Sequence, residues 1–161
     1  MRNMISFDRG DTRFIHRVAG MAFAGDRVLL HRAETDDFLA LPGGRVEMLE
    51  TAQESLIREM QEELNVKVAV DRLVWVVENF FEYEERRCHE LAFYYVMCLP
   101  AGCYLLTEPG PFTATEENGV RLFFHWQPLA GLADARLYPT FLREWLLSLP
   151  PTLEHIVHRD S

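Results

Sequence analysis

Glu59, Glu62 and Glu63 stand at positions i, i+3 and i+4 of a stretch whose apolar residues recur at helical spacing, residues 51–64. On a helix these positions share one face, so three carboxylates crowd together. Crowded carboxylates repel unless a cation lies between them. Their hard oxygens suit magnesium, or manganese in its place. Ala52, Leu56, Ile57, Met60 and Leu64 make the neighbouring apolar arc, and Glu63 lies at its rim, where it should be partly buried. The same spacing also describes an ordinary solvated helix face. The run LPGG, Leu41 to Gly44, shifts the balance, because Gly43 and Gly44 let the backbone approach a ligand closely. A glycine turn, an acidic helix and a divalent cation together imply chemistry on a phosphate group.

The elements that must hold these residues are readable in outline. Thr51 or Glu50 can cap the helix start, and Thr51 with Glu54 fits a capping box. Asn65 stands where a left-handed residue would close the helix. Residues 12–24 and 27–33 read as two strands joined by a two-residue turn at Gly25-Asp26, with Val28 to Leu30 a buried centre. Residues 34–38 form a polar loop. Val66, Val68 and Val70 alternate as a half-buried strand, 73–83 continues extended, and 89–99 reads as a buried strand. The acidic run Glu82 to Glu85 reads as a solvated strand end or loop. Residues 100–118 read as a long loop, and 121–126 as a strand. A final helix starts at Tyr138-Pro139, places Phe141, Leu142, Trp145, Leu146 and Leu149 in the core, and stops at Pro150-Pro151. Residues 152–158 suggest a short terminal strand. The mixture predicts an α+β sandwich, a central mixed sheet with helices on both faces.

At 161 residues and a net charge of −9, the chain is read as one domain, residues 1–161, with a substantial core. The acidic balance argues against a nucleic acid polymer as partner, yet a phosphorylated small molecule can bind where metals bridge the charges. Cys88, Cys98 and Cys103 have no zinc-site spacing and read as reduced thiols of a cytoplasmic protein. No apolar run reaches membrane-spanning length and no signal-peptide core is visible, so no membrane is expected.

Gly44 to Val66 resembles the signature of the Nudix hydrolases, G-x5-E-x7-R-E-U-x-E-E-x-G-U, with U a bulky apolar residue. Gly44 opens it, Glu50 follows, then Arg58-Glu59, Met60, Glu62-Glu63, Leu64 and Val66; Asn65 replaces the closing glycine. A match this long is specific. The resemblance implies an α/β/α sandwich and a magnesium-dependent pyrophosphohydrolase. The substrate would be a small-molecule nucleoside diphosphate linked to a group X, such as a nucleotide, dinucleotide or nucleotide sugar. The alternative is a catalytically weak, Nudix-like module that senses a nucleotide. A homodimer is compatible with either.

The resemblance also implies roles. Glu59, Glu62 and Glu63 would bind metal, with the Gly43 carbonyl as a further ligand, and Glu59 is an alternative base. Arg58 would orient a glutamate through a bidentate pair. Glu50 is a distant ligand or a charge at the helix start. A late-loop glutamate often serves as base or ligand, which points to Glu117 or Glu116, Glu117 being preferred; two exposed loop acids are the plain alternative. Arg17, Arg32 and Arg45 could meet phosphates, or be ordinary surface arginines. Phe38 could stack on a base or belong to the core. His89-Glu90 could face a cleft. Tyr83 sits near where dinucleoside-polyphosphate hydrolases carry a tyrosine.

Overall fold

Strands form where β-branched and aromatic residues alternate with polar ones. A computed structural model describes residues 2–161. In chain order it holds β1 (Ser6–Arg9), β2 (Thr12–Met21), β3 (Phe23–Ala24), β4 (Arg27–Ala33), β5 (Gly43–Arg45), α1 (Ala52–Leu64), β6 (Ala69–Tyr83), β7 (Arg86–Cys98), α2 (Tyr104–Thr107), β8 (Phe112–Thr115), β9 (Arg121–Pro128), a 3-10 turn (Leu129–Asp134), α3 (Leu142–Trp145) and β10 (Glu154–Arg159).

A mixed sheet runs in the order β1-β2-β7-β6-β10, with β5 also paired to β2. The β2/β7 and β10/β6 pairs are parallel; β6 and β7 form an antiparallel hairpin. The second sheet, β3-β4-β9-β8, is antiparallel. The chain changes sheets at Ala22, so the single strand expected over 12–24 is two. The Gly25-Asp26 turn is present, with Ala24 paired to Arg27 and Gly25 at φ 59°.

Alternate residues of β7 serve two cores, as the period of a strand requires. Met97 packs with Leu56, Met60 and Leu64 of α1 and with Leu29 and Phe124 of the second sheet. Ala92 and Tyr94 pack with Trp75 and with Leu132, Phe141 and Leu142 of the C-terminal helical segments. Helical segments therefore cover both faces of the mixed sheet, as the α+β reading expects.

Three boundaries differ from expectation. The segment 100–118 is no plain loop. Phe112 and Ala114 are buried while Thr113 and Thr115 are open, and this short alternation pairs with β9 as β8; α2 forms around the buried Leu105. The strands expected at 66–70 and 73–83 join as β6, which begins only at Ala69: Val66 and Val68 are buried but lie in the connection before it, and the register is irregular near Val70 and Leu73. The final helix shrinks to α3. Its amides mostly reach back three residues, as in Leu142 to Pro139 and Arg143 to Thr140, while Asp160 accepts from the Thr140 amide and hydroxyl. Trp145, expected in the core, packs at a tilt against Trp75 and Phe141 but is 39% exposed. The terminal strand is present as β10. At Glu84 and Glu85 both φ angles are positive, 50° and 61°, as a two-residue turn between strongly twisted strands requires.

Helix α1 has both expected ends. Thr51 Oγ1 accepts from the Glu54 amide at 3.1 Å, and the Thr51 amide donates to Glu54 Oε2 at 2.9 Å. Asn65 adopts φ 54°, ψ 40°, and its amide donates to the Gln61 carbonyl. Asn65→Gly is therefore expected to change stability by no more than about 1 kcal/mol. Asn65→Val should cost about 1–2 kcal/mol, because a β-branched residue fits poorly at positive φ. Denaturant melts decide, and equal stability of Val and Asn would contradict the left-handed stop.

Candidate active site

The glycine turn fits its place by lacking side chains. Residues 43–45 run antiparallel to β2, and a Cβ on Gly43 would lie 2.0 Å from the Val18 carbonyl oxygen. A Cβ on Gly44 would lie 2.5–2.9 Å from the Glu59 carboxylate. β5 thus lies directly against the acidic face of α1.

Arg58 organises that face. Its Nε and Nη2 donate to Glu50 at 2.7 and 3.0 Å, a bidentate pair, and its Nη1 donates to Glu59 at 2.9 Å and Glu62 at 3.3 Å. Glu47 lies 3.1 Å from Nε. These carboxylates hold the Arg58 guanidinium above its ordinary range, and Arg58 in turn lowers Glu50. Glu50 thus faces Arg58, outside the cleft described below.

The three helix acids differ in environment. Glu59 is buried, Glu62 is exposed and Glu63 is half-buried. Glu63 Oε2 is shielded from water and has no hydrogen-bond partner. Burial, and then the neighbouring Glu59 carboxylate, push the Glu63 carboxyl well above the usual carboxylate range. Arg2 reaches over the same face: it pairs with Glu62, lies 3.7 Å from Glu59, and donates to Glu117 at 2.6 Å. Glu116, beside Glu117 in the turn after β8, is raised by loss of water and by Glu59.

Among the described residues no three acidic, histidine or cysteine side chains converge on one point. Glu59 and Glu62 are turned onto guanidinium groups instead. The donor set nonetheless fits a divalent cation. It consists of hard carboxylate oxygens, one buried oxygen lacks any partner, and the Arg2 cation already lies among Glu59, Glu62 and Glu117.

These acids form one wall of a cleft of about 860 Å³. Gly43, Arg17, Arg32, Arg45, Phe38 and Tyr83 line it too. Arg17 donates to the Leu41 carbonyl at 2.9 Å. Arg32 stacks on Phe123 and donates to the Asp36 carbonyl. Phe38 meets Tyr83 and Tyr138 edge-on at 5.9 and 5.8 Å, and Tyr83 donates to Asp36. His89 does not enter the cleft; it is exposed and packs on Phe14 and Phe80, while its neighbour Glu90 lines the cleft. Cys88, Cys98 and Cys103 are free thiols, and among the described residues no helix is long and apolar enough to cross a membrane.

Sequence reasoning did not single out Arg2, Asn79 or His31, which also line the cleft. Asn79 had a readable signal. It alternates with Val77 and Phe81, which places it on the face that Val77 buries. Arg2 had none, being brought to α1 only by the fold.

A search of the curated proteins finds no match to the sequence. Among solved structures, a NUDIX hydrolase from Nitrosomonas europaea is similar with a TM-score of 0.60 at 15% identity, over 91% of this chain and 79% of that one. The E. coli ORF135 protein gives 0.55 at 22%, over 88% and 94%. An ADP-ribose pyrophosphatase from Streptococcus suis gives 0.58 at 16%, over 89% and 98%. These likenesses carry the fold. The family description "NUDIX domain" matches residues 15–146, most of the chain. With the glycine turn, the acidic helix and this match in agreement, the chain belongs to the NUDIX domain family and is a Nudix hydrolase.

Proposed function

We propose that this protein hydrolyses the diphosphate linkage of a nucleoside diphosphate joined to a group X, with magnesium as its cation. The observation that carries the reading is the partnerless, shielded Glu63 oxygen beside Glu59, on a cleft that also holds arginines. Glu59, Glu62 and Glu63, with the Gly43 carbonyl, would hold the cation. The cation, when bound, supplies charge neutralisation on the diphosphate and makes water a better nucleophile. Manganese has the same ligand preferences.

The chain's own residues do the rest. Arg58 positions Glu59 and Glu62, and Glu50 holds Arg58 in turn. Arg17 and Arg45 make no ion pair among the described residues, so both are available to phosphate oxygens in the cleft. Arg32 and Phe38 border the nucleoside. A carboxylate takes the proton as the water oxygen bonds to phosphorus and the bridging P–O bond breaks. The products are a nucleoside monophosphate and phosphorylated X, or pyrophosphate where X completes a triphosphate. Free thiols and an acidic surface suit a cytoplasmic enzyme.

Two late-loop carboxylates compete for the base. Glu117 is exposed and tied to Arg2, whereas Glu116 senses Glu59 directly. Glu117→Gln is expected to slow turnover with magnesium affinity almost unchanged if Glu117 is the base; Glu116→Gln shows that pattern if Glu116 is. Normal rates in both variants and in the double variant would move the base to Glu59. Arg2→Ala should lower the magnesium concentration giving half-maximal rate, because a competing cation leaves the acids. An unchanged magnesium curve would show that Arg2 does not compete. The reading as a whole is tested by a nucleotide panel with magnesium, followed by phosphatase and orthophosphate detection. Release from at least one nucleoside diphosphate derivative is expected, and none from any would refute it.

A further inference from the structure

Beyond the acids and arginines, the cleft floor holds a polar pair that the reaction above does not use. Asn79 on β6 and Glu90 on β7 are directly opposed across the hairpin. They are only 3% and 6% exposed. The Asn79 amide nitrogen lies 3.4 Å from Glu90 Oε1, a long bond, and Asn79 Oδ1 has no partner at all. On β4, His31 also lines the cleft, and its Nδ1 is likewise shielded and without a partner. A buried acceptor left unpaired loses its bond to water and gains none in return. Groups left so beside an open cleft are ready for a ligand that restores the bonds.

The kind of ligand follows from the donors and acceptors. Asn79 Oδ1 can only accept. Burial raises the Glu90 carboxyl above its ordinary range, which favours the neutral form and lets it donate an O–H. The complement is a planar group with an N–H beside an acceptor. Phe38, edge-on to both Tyr83 and Tyr138 at the cleft wall, and these two tyrosines offer the flat apolar surfaces that such a ring prefers. Arg17 connects the two parts of the cleft, since its charge bears on both Glu63 and Glu90. A nucleotide with its phosphates near Arg17 and the acids would send its base toward Asn79.

We propose that Asn79 and Glu90 form the base-reading floor of the substrate site, recognising the edge of a nucleobase that presents an N–H next to a carbonyl or ring nitrogen. This rests on the reading of the substrate as a nucleotide, and sets its specificity. Guanine and uracil offer this edge as a lactam, adenine and cytosine as an amidine.

Binding without metal tests the proposal apart from hydrolysis. Isothermal titration of the full chain with the four nucleoside 5′-monophosphates and with ribose 5-phosphate should show at least one base bound about tenfold tighter than the sugar phosphate alone. Preference for guanine and uracil identifies the lactam edge; preference for adenine and cytosine identifies the amidine. The double variant Asn79→Leu/Glu90→Leu removes both partners of the buried bond together, which proteins tolerate better than removing one. It should bind every nucleotide no better than ribose 5-phosphate. In the wild-type protein, the Asn79 side-chain amide signal should shift in NMR spectra with the preferred nucleotide and stay put with ribose 5-phosphate; this readout needs no variant to fold. Equal or absent binding of all five compounds, or an unmoved Asn79 signal, would overturn the proposal even if a diphosphate is hydrolysed. Base preference with no hydrolysis in the magnesium panel would support it and count against the reaction instead.

Discussion

Glu63→Gln is expected to reduce turnover at least about a hundredfold, because charge stabilisation by a metal supplies several kcal/mol to such reactions. The change keeps size and helix propensity while replacing an oxygen that could ionise toward a cation with an amide that cannot. Glu63 sits on α1 beside the Glu59 carboxylate in the cleft wall, with one shielded oxygen that nothing in the protein satisfies. Folding should survive, since an amide accepts that place without a second buried charge beside Glu59. Steady-state rates with saturating magnesium, beside a thermal melt of the metal-free protein, measure both halves. The exposed Glu62 gives a second variant, and Glu62→Gln should also fall about a hundredfold if it shares the cation. Near-normal turnover in either variant would remove that residue from the site.

Arg58→Ala is expected to cost about 2 kcal/mol or more of stability and most of the activity. One guanidinium answers Glu50 twice, Glu59 and Glu62, and lies 3.1 Å from Glu47. The Arg58, Glu50 and Glu59 side chains are 20%, 16% and 11% exposed, so removing the cation leaves acids that water reaches poorly. Breaking such a partly buried network costs more than losing a surface ion pair and less than losing a fully buried one. Arg58→Lys keeps the charge but has no planar fork, so it should recover only part of the loss. Chemical denaturation and kcat/KM on the same preparations separate the two effects. A variant as stable and as active as the parent would show that the network is ornamental.

What the sequence made legible was local. Helix α1 carries its own start in Thr51 and Glu54, its own stop in Asn65, and a hydrophobic period long enough to be unambiguous. Each of these signals lies within a few residues of what it determines. The Gly25-Asp26 turn is readable for the same reason. By contrast, β8 is four residues whose alternation makes sense only once β9 pairs with it, so Gly, Pro and Thr around it suggest a loop. Phe141, Leu142 and Leu146 would be buried by a long helix or by a single tight turn; the bonds from Thr140 to Asp160 select the turn, and they join residues 20 apart.

The cleft divides in the same way. The acidic residues could be named because helical spacing is local. Whether Glu116 or Glu117 faces them depends on a turn whose direction is set by sheet pairing. For the pair His89-Glu90, strand alternation dictates that only one can enter the cleft, and burial of Cys88 and Ala92 on that side selects Glu90. Arg2 is invisible to any local rule, since it meets Glu62 across 60 positions of sequence.

The central claim is that the acidic face of α1 holds a divalent cation. Manganese titration followed by electron paramagnetic resonance tests it most directly, because the signal of free manganese disappears on binding. The account predicts that the wild-type protein removes that signal, that magnesium restores it by competition, and that Glu63→Gln weakens binding about tenfold or more. Manganese bound equally well by Glu63→Gln, or not bound by the wild-type protein at all, would contradict it.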